Sequence, residues 1–137
     1  MDIQYKINTS ITTEQFIDLL KRSTLAERRP VNNYKCMQGM INNSNLIVSA
    51  WDKDKLIGIA RSISDFHYVC YLSDLAIDKE YQKKGIGLKL QIFTQEQLGP
   101  ECKLILISAP DANPYYKHIG YMQNERCWVL NSDKKLK

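Results

Sequence analysis

Histidine is scarce in this sequence: His67 and His118 are the only two in 137 residues. The four cysteines, Cys36, Cys70, Cys102 and Cys127, form no C-x-x-C pair. With so few imidazoles and no paired thiols there is no zinc-ligand spacing, and no metal is expected. The cysteines are expected to be buried free thiols of a reducing compartment. No apolar run approaches the ~18 residues that a membrane span needs, so no membrane partner is expected. The opening "MDIQYKINTS" lacks the apolar core of a signal peptide, and a cytoplasmic protein is expected. Repeats, low-complexity tracts and Pro/Gly/Ser linkers are also missing, which points to a single domain over residues 1–137. The net charge of +4 is too small to argue for nucleic acid but suits a small anionic ligand. With 44% hydrophobic and 25% charged residues, the chain is globular rather than disordered.

What is present reads as alternating elements. "IQYKI" alternates Ile3, Tyr5 and Ile7 as a strand does. Thr12 with Gln15 three residues on makes a capping box for a helix that turns Phe16, Leu19 and Leu20 inward. Pro30 interrupts "TLAERRP", and a second helix is expected from Asn32 to about Asn42. "NLIVSAWD" and "KLIGIARSIS" flank "DKDK" as a hairpin, and "YVCYLSDLAI" is a third, longer strand. A helix follows with Ile86, Leu90 and Phe93 on one face, stopped by Gly99 and Pro100. "CKLILIS" is nearly all apolar, as in a central strand. "NPYYKHIG" is a short helix, and "YMQ" and "RCWVL" look like two closing strands. The order is β-α-α-β-β-β-α-β-α-β-β, an α/β (α+β) plan around one mixed central sheet.

The chemistry concentrates where the long strand turns into the next helix, at Gln82-Lys83-Lys84-Gly85-Ile86-Gly87. The first N–H groups of a helix have no partner within it, and the helix dipole adds positive charge there. Such an end binds anions, phosphate above all. Gly85 and Gly87 permit positive φ and close approach of a ligand to the backbone. Lys83 and Lys84 add charge, and Gln82 offers an amide donor. The stretch is neither a P-loop nor a dinucleotide fingerprint, because the lysine-serine end of the first and the third glycine of the second are absent.

Q-x-x-G-x-G at 82–87 resembles the pyrophosphate loop of the GNAT N-acetyltransferase family. "DLAIDKEYQ" is similar to the strand that leads into that loop. "NPYYKHIGY" is similar to the family's late motif, carried by Tyr115, Tyr116, Gly120 and Tyr121. The resemblance extends from the first strand to about Leu130. It implies a GNAT-like fold with acetyl-CoA as co-substrate, its pyrophosphate held by backbone N–H groups from Lys83 through Ile86 and Gly87 to Leu88. It also implies that the strand ending at Ile77 splays away from "CKLILIS". The pantetheine arm would then pair with the backbone of Leu75 and Ile77, with Ala76 between them and Asn113 hydrogen-bonded to the arm.

Acetyl transfer needs a neutral amine, an oxyanion donor and an acid for the departing thiolate. An amine like that of lysine is neutral about once in 10³ at pH 7, a cost of roughly 4–5 kcal/mol. The resemblance makes the backbone N–H near Leu75 or Ala76 the oxyanion donor and Tyr116 the general acid. The family's usual base positions hold Tyr71 and Ser73, which are poor bases. Asp74 is the nearest carboxylate in sequence, and a water relay is the alternative. Arg28 and Arg29 fall in the loop that lines the family's acceptor site and could meet an anionic acceptor. The expected activity is acetylation of a small-molecule primary amine by direct attack in a ternary complex, by a monomer or homodimer. Alternatives are a non-catalytic acyl-CoA sensor and a protein lysine or N-terminal acetyltransferase.

Overall fold

The computed structural model describes residues 2–137. The chain forms two compact units, one running to Ile107 and one from Ser108 to Lys137. In the first, β1 (Ile3–Ile7), β2 (Leu46–Asp52), β3 (Lys55–Ser64), β4 (Val69–Ile77) and β5 (Lys103–Ile105) form a sheet ordered β1-β2-β3-β4-β5. The first four strands are antiparallel neighbours, and β5 runs parallel to β4. Helices α1 (Thr13–Ser23) and α2 (Tyr34–Asn42) cover one face, and α3 (Ile86–Glu96) covers the other.

Local chemistry sets the first helix. Thr12 accepts from the Gln15 N–H, and the Gln15 side chain accepts from the Thr12 N–H, so two orphan donors are satisfied reciprocally. Ile11, just before the cap, joins Phe16 in one core cluster, a hydrophobic staple that fixes the entry of the helix. Phe16, Leu19 and Leu20 are fully buried with Met37, Ile59 and Ala76. On the opposite face Val48, Ala50, Ile57, Ala60, Cys70 and Leu72 pack against Ile86 and Leu90 of α3. Because helices lie on both faces, β2 and β3 are buried almost throughout and lack the polar alternation of a half-exposed strand.

Two register breaks in β3 and β4 set the pleat. Ala50 opposes Gly58 while Trp51 opposes Leu56, so Ile57 is the extra residue. Arg61 opposes Asp74 while Ser62 opposes Leu72, so Ser73 is extra in β4. Such a bulge bends its strand and changes which face the following side chains take. Here Leu72 and Leu75, three residues apart, join the same α3-side cluster, whereas Ala76 joins the cluster under α1.

Three expectations are corrected. "YMQ" and "RCWVL" form no strands, because neither enters a hydrogen-bonded ladder, and Met122 and Trp128 are almost fully exposed. "CKLILIS" yields a strand of only three residues at the sheet edge rather than a central one. Of the cysteines only Cys70 is buried; Cys36 lies on the outer side of α2 and Cys127 in the unpaired C-terminal segment. In the second unit, α4 (Asn113–His118) ends at Ile119–Gly120, where Gly120 takes φ +114°.

The β3–β4 turn carries a pH-dependent cap. One carboxylate oxygen of Asp65 accepts from the N–H groups of Val69, Tyr68 and His67 at 3.0, 2.8 and 3.0 Å. Those three bonds hold its pKa down to about 2. A carboxyl depressed in the folded state adds stability above its unfolded pKa, and that stability is lost as pH falls through the folded value. Thermal melts should therefore show wild type more stable than Asp65→Asn at neutral pH, with the gap closing between 3.8 and about 2. A gap independent of pH would mean that the carboxylate does not cap the turn.

Candidate active site

The pairing of β4 with β5 is short. Val69, Cys70 and Tyr71 oppose Lys103, Leu104 and Ile105, and there it ends. From Leu72 to Ile77 β4 continues against β3 alone among the described residues, and its other edge has no strand partner. The bulge at Ser73 lies at the start of this open edge. Leu75, Ala76 and Ile77 thus sit on a length of strand whose main-chain groups face a gap in the sheet.

The glycine loop follows directly. Asp78 ends the strand: its N–H donates to the Ile57 carbonyl, and its side chain accepts from the Glu80 N–H. Its carboxylate also meets the Arg22 guanidinium, with the Lys55 ammonium at 3.8 Å. Burial pushes the Asp78 pKa up, but the Glu80 N–H and Arg22 together bring it below the usual carboxylate range. The loop is thereby anchored to α1. Lys83 takes φ +63° and Gly85 φ +81°, while Gly87 is not left-handed and lies within the first turn of α3. Gly85 is the N-cap of α3, and no side chain caps it. The first-turn N–H groups are therefore left without a side-chain partner. A Cβ at Gly85 would meet nothing within 4 Å, so the backbone angle, not crowding within the chain, demands glycine there.

The neighbours of the loop have partners. The Gln82 amide donates to the Ile77 carbonyl at 3.0 Å, which ties the loop back to the open edge. The Lys84 ammonium stands over the Tyr81 ring at 5.8 Å. Lys84 and Ile86 also line a groove of about 280 Å³ with Tyr5 and Lys89. A concavity of about 380 Å³ elsewhere, lined by Asn8, Thr9, Ser10 and Asn45 among others, includes none of the loop or β4 residues and has no charged lining.

On the α1 side of the open edge lies a charged network that the sequence reading missed in part. Asp74 is fully buried. One of its oxygens accepts from Arg29 Nε at 2.5 Å and the other from Arg61 Nε at 2.5 Å. Arg29 also donates to the Ser73 carbonyl and the Arg28 carbonyl, each at 2.8 Å. Arg61 donates to the Ser73 hydroxyl at 2.9 Å, the Ser44 hydroxyl at 2.9 Å and the Met40 carbonyl at 3.2 Å. Its guanidinium also lies 5.8 Å from the Phe16 ring. Arg61 sits mid-strand in an otherwise apolar run, and that lone charge was the signal available in the sequence.

The geometry bears on several candidate residues. Asp74 has both oxygens held by guanidinium groups and no exposed surface. Arg29 is tied to the bulge, while Arg28 points outward and is exposed. Tyr71 is partly exposed at the last paired position with β5.

In the second unit Tyr116 is the centre of an aromatic trio. Its ring meets Tyr115 at 5.2 Å and Tyr121 at 5.5 Å, both edge-on. Burial, and then Tyr115, push the Tyr116 phenol pKa up, which keeps it protonated at neutral pH. Asn113 accepts from the Ser108 hydroxyl at 2.5 Å.

Comparison with known proteins gives the family and the fold. The acetyltransferase (GNAT) domain family matches residues 10–129. An uncharacterized N-acetyltransferase ycf52-like protein of Prochlorococcus marinus is 29% identical over 90% of this chain and 74% of its own. The uncharacterized N-acetyltransferase ycf52 of Pyropia yezoensis is 27% identical over 71% of this chain, and the matched region spans 58% of that protein's length. Among solved structures, a GNAT family acetyltransferase of Streptococcus pneumoniae superposes with a TM-score of 0.76 at 18% identity, covering 96% of this chain and 100% of the other. The aminoglycoside N-acetyltransferase AAC(6')-Iy, solved in complex with CoA, gives 0.71 at 14% identity, covering 96% and 95%. Sheet order and family match lead to one assignment: this chain belongs to the GNAT acetyltransferase family.

Proposed function

We propose that this chain transfers the acetyl group of acetyl-CoA to a primary amine of a small molecule, by direct attack in a ternary complex. The observation that carries the reading is the open edge of β4 beyond Tyr71, which leads straight into the uncapped N-terminus of α3. An extended arm suits a strand edge, and a pyrophosphate suits a helix end in need of acceptors. The donors of the first unit therefore suit the co-substrate: N–H groups from Lys83 to Leu88 for the phosphates and main-chain groups of Leu75 and Ile77 for the arm.

Acetyl-CoA, when bound, supplies the thioester carbonyl that the amine attacks. The N–H of Leu75 or Ala76 stabilises the oxyanion. The amine loses its proton to a water relay, because Asp74, the carboxylate nearest the bulge, has no free oxygen. The C–N bond forms as the C–S bond breaks, and Tyr116 gives a proton to the departing sulfur. Burial raises the phenol pKa and makes it a weaker acid, so the step requires that the developing thiolate be desolvated beside it and become a stronger base in turn.

Calorimetric binding of acetyl-CoA, followed by a thiol-release screen of primary amines, tests the reading. Tyr116→Phe should bind acetyl-CoA as wild type does and lower kcat roughly 10²-fold or more, the usual worth of a general acid. An unchanged kcat would remove Tyr116 from the chemistry. The sensor reading draws on one feature, the full engagement of Asp74 by Arg29 and Arg61; turnover with any amine excludes it.

A further inference from the structure

We infer that Arg29 selects the acceptor, and that the preferred acceptor is an amine carrying a carboxylate rather than a polycation. The inference rests on the acetyltransferase reading above and names the substrate class of that same site. It starts from charge. Two guanidinium groups share one buried carboxylate, which leaves one positive charge in excess. Buried charge is tolerated when it is paired, and the excess favours an incoming anion.

The excess is located at Arg29. Arg61 is 4% exposed, and four donor contacts inside the chain engage all three of its nitrogens. Arg29 is 24% exposed, and its three contacts, one from each nitrogen, use three of its N–H donors. A guanidinium has five N–H donors. Its unengaged donors lie on a group already fixed in orientation by Asp74 and the Ser73 carbonyl. A guanidinium held this way is preorganised for a second carboxylate, and little side-chain entropy remains to be lost. Its anchor points are the bulge residues themselves, at the start of the open edge where the acetyl group would be presented.

The same region has little to offer a polycation. Asp74 is held twice by arginine, Asp18 and Asp78 bind Arg22, and Glu14 accepts from Tyr34. Glu27 is exposed in the turn that precedes Arg29 and is next to Arg28 in sequence. An acceptor with several ammonium groups would meet arginine first and find the buried carboxylate occupied.

The test compares matched acceptors differing in one charge: β-alanine against β-alaninamide, with spermidine as the polycation. Wild type should favour the free acid over its amide about tenfold in kcat/KM, mainly through KM, as expected of one charge-assisted hydrogen-bonded contact. Arg29→Gln leaves Asp74 and Arg61 as a balanced pair and should fold. In that variant the ratio should fall to about one with acetyl-CoA binding unchanged, and Arg29→Lys should keep part of the preference. Wild-type preference for the amide or for spermidine would overturn the inference, whether or not either variant folds. So would an unchanged ratio in folded Arg29→Gln. If wild type binds no acetyl-CoA, the enzymatic reading itself fails and this inference falls with it. If it binds and turns over amines without regard to their charge, only this inference fails.

Discussion

Replacing Gly85 and Gly87 together by glutamate should abolish acetyl-CoA binding, with affinity falling at least ~100-fold by calorimetry, while the protein stays folded. Two physical effects oppose each other in the free protein and act together on the ligand. At Gly85 the backbone sits at φ +81°, where an L side chain costs about 1–2 kcal/mol. A carboxylate in the first turn of a helix offsets part of that by complementing the dipole. A Cβ at Gly85 touches nothing in the chain itself, so no clash adds to the strain. The net loss of stability from the change at Gly85 should therefore be small. For a pyrophosphate, by contrast, two carboxylates bring repulsion at the only end of α3 that offers unpaired N–H groups. Gly85→Ala is the informative companion: it carries the strain without the charge. Weaker binding in Gly85→Ala, beyond the loss of stability of about 1–2 kcal/mol that the strain alone predicts, would mark close approach of the ligand to the loop backbone. Tight binding retained in the double variant would move the phosphates elsewhere and remove the basis of the proposed site.

How much of this was legible in the sequence depended on how local the physics was. The capping box of Thr12 and Gln15 acts over three residues and formed as read. The hairpin at Lys53–Asp54 formed for the same reason, with Lys53 taking the left-handed angle the turn needs. The glycine loop was recognisable because a helix end and its N-cap lie within a few residues of each other. The partnership of Arg61 with Asp74 spans 13 residues and that of Arg29 with Asp74 spans 45. Nothing local reveals either. They depend on the register of β3 against β4, and that register is broken at Ser73. Strict alternation puts neighbouring strand residues on opposite faces, yet Ser73 and Asp74 both reach Arg61, because the bulge re-aims them. The closing strands failed for a related reason: "RCWVL" has the residues of a strand, but a strand exists only through the ladder it joins.

Asp74→Asn should destabilise the protein by about 3–5 kcal/mol, the usual consequence of removing one partner from a buried ion network. At this chain length that corresponds to a fall in Tm on the order of 10 °C or more. The loss is large because of what remains. Asparagine can accept at one oxygen only, so one of two guanidinium groups loses its acceptor, and two positive charges then face each other without a counter-charge. Arg61, 4% exposed, cannot turn to water. Arg61→Met should cost less, since Asp74 keeps Arg29 and the charge balances. In the double variant Asp74→Asn, Arg61→Met, part of the loss should be recovered, and a double-mutant cycle by urea unfolding reads that coupling directly. The same variants separate two roles in catalysis. A base at Asp74 would make kcat/KM lose its acidic limb when the carboxylate is removed. A positioning residue would leave that limb in place and lower the rate at every pH, because the bulge that sets the Leu75 and Ala76 N–H groups has lost its anchor. Loss of the limb in a folded Asp74→Asn protein would reinstate the carboxylate as the base. A cost below about 1 kcal/mol would show that the network is no more than a surface ion pair in strength.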